Sequence, residues 1–280
     1  MNFIKNLPGP LLIFLGALSL SFGGLIVKSF DGATLWQILF WRSLFFSLTV
    51  LTFLVLSYKK KTFKAFYDSG LPGIIGGIIL SFGFCGYVFA MYNTTVANTN
   101  FIISLQILFL AIFGYFFLKE KISLISFVSI LLAMGGISIM VGDSISTGFF
   151  FGNIVALAIP INFSILVIII RKFPKLDMVP AIFYSGIFAC FYGLALSDTL
   201  NFTSHDILMG FILGVPQLAF GFICITIGSN TTKAVTVGIL MLSETLCAPL
   251  WVWLFLNEIP PTSVFIGGSI IILAVIIKIF

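Results

Sequence analysis

The chain has 280 residues, of which 60% are hydrophobic and only 8% are charged, and its mean hydropathy is +1.22. A water-soluble domain of this composition would have almost no charge to present to solvent, so we expect the chain to lie in a lipid bilayer. Its net charge of +5 does not indicate a nucleic-acid partner, because the basic residues gather in the connections between apolar segments and offer no basic groove.

Ten apolar stretches are long enough to cross a bilayer of about 30 Å, which takes about 20 helical residues. They are 10–27, 34–57, 71–92, 96–118, 124–141, 149–170, 179–196, 207–228, 234–256 and 262–280. The predicted fold is therefore an all-α integral membrane protein with ten transmembrane helices. The motifs Gly73-x-x-x-Gly77 and Gly210-x-x-x-Gly214 predict faces where these helices pack closely.

The second half of the chain repeats the first. The segment 76–120 recurs without a gap as 214–258, displaced by 138 positions (258 − 120 = 138). Such duplication within a membrane protein is typical of secondary transporters. Each half, 1–142 and 143–280, would hold five helices, and an odd number makes the second half enter the membrane from the opposite side. We therefore predict two inverted five-helix repeats within one membrane domain.

The charged connections predict an orientation. With the amino terminus inside, the inward connections carry most of the basic residues, namely Lys59, Lys60, Lys61, Lys64, Lys119, Lys121, Arg171, Lys172, Lys175 and Lys233. The outward connections carry Asp31, Asp143, Asp198, His205, Asp206 and Glu258, and Lys28 is the exception to the pattern. Because positive charge favours the cytoplasmic side, both termini are predicted to be cytoplasmic, in a bacterial inner (plasma) membrane.

Residues suited to metal or redox chemistry are scarce. The four cysteines lie singly in apolar runs without Cys-x-x-Cys spacing, and the single histidine, His205, lies in a polar connection. We therefore expect no metal, no cofactor and no enzymatic activity. The motifs of intramembrane proteases and prenyl transferases are also lacking in the sequence.

Glu244 is the foremost candidate for a functional residue. It lies about ten residues into the predicted ninth helix, about 15 Å from the inner end and so near the bilayer midplane. A carboxylate there costs roughly 3 kcal/mol, so it must face the protein interior or a cavity, or carry a proton. Two functional interpretations are open, a proton-coupling group or a ligand for a cationic substrate. A structural hydrogen bond across a helix interface is the alternative.

Gln106 is the repeat counterpart of Glu244 (244 − 138 = 106). Phe113 follows Gln106, and Trp251 follows Glu244, at the spacing that keeps residues on one helix face. Two such stripes facing each other would enclose a site near the midplane, with an aromatic wall and one carboxylate. That chemistry suits a small zwitterion or organic cation, through ion pairing and cation–π contact.

Four further polar or aromatic residues are weaker candidates. Arg42 is predicted to lie roughly 12 Å deep in the second helix, beside Trp41. It either binds a carboxylate or acts as a gate, with Glu258 or substrate as its partner, or it snorkels to the interface. Ser21 and Asn162 correspond at an offset of 141 (162 − 21 = 141), and such groups usually bond to one another or to backbone between packed helices.

Three features of the sequence together carry a resemblance to a known family. These are the five-plus-five helix pattern, the Trp41-Arg42 pair, and a Phe-Leu-(Lys/Asn)-Glu motif that closes the fourth and ninth helices at 117–121 and 255–259. The whole chain resembles the EamA-like branch of the drug/metabolite transporter superfamily. The resemblance implies a proton-linked or facilitative carrier, often an exporter, for solutes such as amino acids, amines, nucleosides or drugs. It also places Glu120 and Glu258 in a structural motif at helix ends.

The sequence thus predicts a secondary transporter that moves a small amino-acid-like solute, zwitterionic or cationic, by alternating access. Its expected partners are this solute, the lipid bilayer and protons as a candidate coupling ion, and it would act as a monomer or homodimer. A non-transporting receptor or assembly subunit remains an alternative. A sugar-phosphate or nucleotide-sugar carrier is disfavoured, because Arg42 is the only clear basic residue deep in a span and such substrates carry several negative charges.

Overall fold

The computed structural model describes residues 7–94, 96–142, 150–256 and 262–279, and regular secondary structure within them is helical throughout. The first half contains α1 (Gly9–Leu20), α2 (Gly23–Val27), α3 (Leu35–Tyr58), α4 (Thr62–Asn93), α5 (Val96–Ser104), α6 (Gln106–Leu118) and α7 (Leu124–Gly142). The second contains α8 (Phe150–Ala156), α9 (Ala158–Lys172), α10 (Val179–Leu196), α11 (Ser204–Ile212), a π-helix (Leu213–Ala219), α12 (Phe220–Thr231), α13 (Ala234–Leu256) and α14 (Thr262–Ile279).

Seven stretches of the described residues are long and apolar enough to cross a membrane. They are Gly9–Val27, Leu35–Asn93, Thr99–Leu118, Phe150–Lys172, Val179–Leu196, Ser204–Thr231 and Ala234–Phe255. The second stretch contains both α3 and α4, and the helices α7 and α14 contribute shorter apolar segments. The prediction of a helical membrane protein is confirmed, whereas the count of ten spans stays a prediction.

Local sequence explains where several helices begin and break. At the start of α3, the Thr34 side chain accepts a hydrogen bond from the Gln37 backbone N–H, and the Gln37 side chain accepts one from the Thr34 N–H. This reciprocal pair satisfies two backbone donors that a helix start leaves free. In α4 the helical path bends at Gly70, whose φ of +52° is a conformation that glycine adopts without steric cost.

The helices pack in pairs that correspond under exchange of the two halves. The helix α1 packs on α12 as α4 packs on α9, and α13 packs on α1 as α6 packs on α9. Two further pairings, α3 with α10 and α7 with α14, join equivalent helices of the two halves. The duplication in sequence is therefore also a duplication in contacts, and the halves meet along a broad common interface.

Glycines permit close approach at the helix crossings. A β-carbon on Gly77 would lie 2.8 Å from the Ala181 carbonyl oxygen, and one on Gly214 would lie 2.5 Å from the Arg42 carbonyl oxygen. The predicted close-packing faces are thereby confirmed at these two positions. A comparably close contact joins α1 and α12, since a β-carbon on Gly16 would lie 2.8 Å from the carbonyl oxygen of Gly221.

Hydrogen bonds between the connections show which of them lie together, and the connections form two groups at opposite faces of the bundle. On one face, Arg171 binds Glu120 and Asn230 donates to the carbonyl of Pro174 at 3.2 Å. This face therefore collects the basic connections that contain Lys119, Lys121, Lys172, Lys175 and Lys233. On the other face, Asp206 accepts from the Asp31 N–H at 2.8 Å, and Gln37 donates to the carbonyl of Thr199 at 3.0 Å.

Glu120 joins the two halves on the basic face. Its carboxylate pairs with Arg171 at the end of α9 at 2.5 Å, and it accepts the N–H of Ala234, the first residue of α13, at 3.0 Å. Arg171 also donates to the carbonyl of Asn230 at 3.1 Å. One side chain thus neutralises a cation and satisfies a helix N-terminal donor. The structural role implied for Glu120 fits these contacts, while Glu258 lies outside the described residues.

We expect Glu120→Ala to lower the free energy of unfolding by about 1–3 kcal/mol. The substitution removes the carboxylate that accepts from the mostly buried Arg171 guanidinium and from the Ala234 N–H. Thermal unfolding of detergent-solubilised protein measures the change. The exposed Lys121 supplies the matched control, and Lys121→Ala should unfold as the unmodified protein does. Equal melting of the two variants would contradict a role for Glu120 in joining the halves.

Candidate functional site

A cavity of about 60 Å³ lies where the two halves meet. Eight of its lining residues form four pairs separated by the repeat offset of 138, namely Leu80 with Leu218, Phe84 with Phe222, Ile103 with Met241, and Gln106 with Glu244. A cavity needs only about 10–15 Å³ to hold one water, so this one has room for several waters or a small polar group. Gln106 and Glu244, which correspond under the repeat offset, therefore both line this cavity.

Arg42 reaches this cavity from α3. It is 1% exposed, and its guanidinium donates to the Phe84 carbonyl at 2.7 Å and lies 5.4 Å from the Phe84 ring centre and 5.3 Å from that of Tyr87. Its Nε has no hydrogen-bond partner among the described residues. Burial of this kind excludes the snorkelling alternative, because a snorkelling side chain keeps its charge in water. Two aromatic faces and a carbonyl instead hold the cation.

Glu244 and Gln106 supply the polar groups of α13 and α6. Gln106 is 2% exposed, and its Nε2 has no partner among the described residues. Within that part of the chain, no ion pair joins Arg42 to Glu244, although both line the cavity. The cavity thus offers an acid, a guanidinium and an amide donor that have not satisfied one another. Arg42 and Gln106 are buried and Glu244 is half-buried, and unsatisfied polar groups that face one cavity favour a polar ligand between them.

Trp251 and Ser21, which the sequence placed at the substrate, lie outside the cavity lining. The Trp251 indole donates to the Ser21 hydroxyl at 2.7 Å and stacks on the Phe22 ring at 4.3 Å. Trp251 does share a helix face with Glu244, as predicted. However, seven residues advance a helix by about 10 Å, which carries the indole beyond a cavity of this size. The pair joins α13 to the break between α1 and α2.

Trp41, Phe113 and Asn162 also do not line the cavity. Trp41 packs against Phe40, Phe45 and Phe202, because adjacent helical residues point about 100° apart and Arg42 takes the inward direction. Phe113 packs between Phe109 and Phe117, again two turns from Gln106. Asn162 is half-buried, and its neighbour Phe163 takes the lining position. The predicted aromatic wall is therefore made of other rings.

The structure adds cavity residues that the sequence interpretation missed. The aromatic wall consists of Phe84, Tyr87, Phe163 and Phe222, and Gln217 contributes a second amide. With 34 Phe residues in the chain, no pattern could single out these rings. Gln217 did carry a signal, since it is an uncharged polar residue in the middle of an apolar stretch and directly follows Pro216.

These features define a helical membrane protein with a mostly apolar cavity between two repeated halves, into which a few polar side chains are placed. A model of the EamA-like transporter family matches the chain twice, over residues 7–142 and 147–280. The chain therefore belongs to the EamA-like transporter family, whose members are typically membrane transporters. The resemblance noted from the helix pattern and closing motifs is confirmed, and the chain is an integral membrane protein.

A likeness to a solved structure bears on fold rather than activity. A solved structure titled "Crystal structure of protein" superimposes with a TM-score of 0.82 at 15% sequence identity, and the match covers 96% of each chain. At this identity the likeness is one of fold alone. No curated protein sequence matches the chain.

Proposed function

We propose that this protein is a secondary transporter of small zwitterionic solutes, of the amino-acid type, and that it works by alternating access. In this proposal ten transmembrane helices form two inverted five-helix repeats, 1–142 and 143–280, that exchange shapes around the central cavity. The solute lies between Arg42 and Glu244. Its carboxylate faces the guanidinium, and its ammonium faces the acid and the aromatic wall.

The placement of Arg42 and Glu244 on one cavity without an ion pair between them carries this proposal. A buried charge is stable only when another charge or a set of hydrogen bonds compensates it. A zwitterion compensates both residues at once and adds no net charge. A phosphorylated sugar would bring two negative charges to a single guanidinium, which leaves one uncompensated in the membrane.

The two-faced distribution of charge supports an orientation. The face that gathers the basic connections is assigned to the cytoplasm, in a bacterial inner membrane, with both termini on that side. The contact of Glu120, just past the end of α6, with Ala234, the first residue of the equivalent helix α13, supports the inverted arrangement, because the two equivalent helices then run in opposite directions. Protons are the proposed coupling ion, with Glu244 as the group that carries them.

A thermal-shift panel on purified protein tests the solute class. The probes are L-alanine, L-leucine and L-phenylalanine, their amides as cations, their N-acetyl derivatives as anions, and glucose 6-phosphate. We expect the free amino acids to raise the melting temperature most, because they carry both of the charges that Arg42 and Glu244 would compensate. A ligand at a hundredfold excess over its Kd adds about 2.7 kcal/mol of stability. Stabilisation by glucose 6-phosphate alone would contradict the proposal.

Binding does not by itself distinguish a carrier from a receptor. The probe that gives the largest shift is therefore used radiolabelled in counterflow with proteoliposomes. A carrier accumulates label against a preloaded unlabelled solute. A receptor or an assembly subunit would show the same thermal shift without accumulation.

A further inference from the structure

Gln217 occupies a place where the two halves of the molecule differ. It lies in the π-helix Leu213–Ala219, whereas the equivalent segment 75–81 lies within the α-helix α4. Its repeat counterpart Ile79 (217 − 138 = 79) does not line the cavity, although Gln217 does. A π-helix has a wider turn than an α-helix and so changes the direction of its side chains, and such turns are frequent at functional sites.

The orientation of the Gln217 amide is determined by its surroundings. Its Nε2 donates to the Leu20 carbonyl at 2.9 Å, and Leu20 is the last residue of α1 before the break at Ser21 and Phe22. A carbonyl can only accept, so the opposite orientation of the amide would place two acceptors together. The oxygen Oε1 is therefore the end left for another partner, and it has none among the described residues. The residue as a whole is only 6% exposed.

The neighbouring Gly23 leaves space for this amide. A β-carbon at Gly23 would lie 2.9 Å from Gln217 Nε2 and 2.5 Å from the Tyr87 hydroxyl oxygen. Both side chains belong to the cavity lining. A substitution at Gly23 would therefore displace two cavity groups without replacing either of them.

We propose that Gln217 determines specificity by accepting a hydrogen bond from an N–H of the bound solute, and so selects primary amines over fully N-methylated ones. The inference rests on the proposed function. A primary ammonium has three N–H donors, enough for Glu244 and for the Gln217 oxygen. A trimethylammonium keeps the charge and its attraction to aromatic rings but has no donor, so it leaves the amide oxygen buried and unsatisfied.

The test compares L-alanine and L-leucine with their N,N,N-trimethyl derivatives, by thermal shift and by isothermal titration. We expect the unmodified protein to bind the primary amines about tenfold more tightly or better, the cost of an unsatisfied buried acceptor. In Gln217→Leu this preference should fall at least threefold. Gly23→Ala, which moves the amide but retains it, should weaken the preference in the same direction. Ile79→Leu, the counterpart outside the cavity, should keep the full preference.

The outcomes separate this inference from the proposed function. An unchanged preference in folded Gln217→Leu and Gly23→Ala overturns the role of Gln217 and leaves the zwitterion site standing. If no amino acid binds the unmodified protein, the proposed function fails and the inference fails with it. Should Gln217→Leu not fold, the Gly23→Ala preference alone decides, since that variant keeps every cavity side chain.

Discussion

Glu244→Gln is expected to remove the response of transport to pH and to weaken binding of zwitterionic solutes by about 10- to 150-fold, the loss of a hydrogen bond to a charged group. The carboxyl must change between charged and neutral forms during the cycle if it carries the coupling proton, whereas the amide is neutral at every pH. Uptake of the best-binding amino acid into proteoliposomes is measured between pH 5 and 8, with and without an imposed proton gradient. The pH profile gives the response of transport to protons, and the concentration for half-maximal uptake reports the loss of binding.

Cys247→Ala provides the matched control, because Cys247 lies three residues further along α13 and does not line the cavity. It should show the pH profile of the unmodified protein. A Glu244→Gln protein that still follows the proton gradient would assign coupling to another group. A Glu244→Gln protein with unchanged binding would show that the carboxyl does not contact the solute.

Arg42→Met should change the kind of solute that the cavity accepts. We expect amino acids to bind about 10- to 150-fold more weakly, because the carboxylate loses its charge-assisted partner. The corresponding amides, which lack a carboxylate, should bind as well as before or better, because the guanidinium no longer repels their ammonium. Methionine has similar length and no charge, so it fills the space of the Arg42 stem and leaves no buried cation to compensate. Thermal-shift titrations with L-leucine and L-leucinamide measure the reversal.

Two comparison variants sharpen this result. Arg42→Lys keeps a charge but loses the planar fork that donates to a carboxylate and stacks on rings, so it should recover only part of the amino-acid affinity. Trp41→Phe alters the adjacent residue, whose ring packs against Phe40 and Phe202 away from the cavity, and it should bind both solutes normally. Parallel losses for L-leucine and L-leucinamide in Arg42→Met would indicate damage to the cavity rather than loss of a carboxylate partner.

The length of the predicted stripes along the helix axis explains which of the predicted residues line the cavity. Glu244 and Gln106 were recognised because lipid makes a mid-span acid or amide costly, and the repeat offset linked them. Phe113 and Trp251 were assigned to the same site because they share a helix face with these residues. Helical spacing gives direction around the axis, but seven residues also move about 10 Å along it, and only the structure shows how tall the cavity is.

For other residues, the rotation of a helix about its axis decides whether the side chain lines the cavity. Arg42 and Trp41 are neighbours in sequence, and so are Phe163 and Asn162, yet one member of each pair lines the cavity and the other does not. The position of Gln217 in the cavity lining depends on the π-helix. The first half of the chain does not predict that π-helix, since the equivalent segment 75–81 is α-helical. Packing against neighbouring helices sets the rotation, whereas the π-helix contains Pro216, where the first half has Ile78 (216 − 138 = 78), so this local difference is visible in the sequence.

The amino-acid sequence by itself determined the helical membrane fold, the family and the duplication, because hydropathy over about 20 residues and a constant offset of 138 are properties of the linear chain. Tertiary structure alone decided that Arg42, Gln106, Gln217 and Glu244 share one cavity. These residues come from four different helices, and their convergence depends on the crossing and rotation of those helices as glycine contacts and ring packing set them.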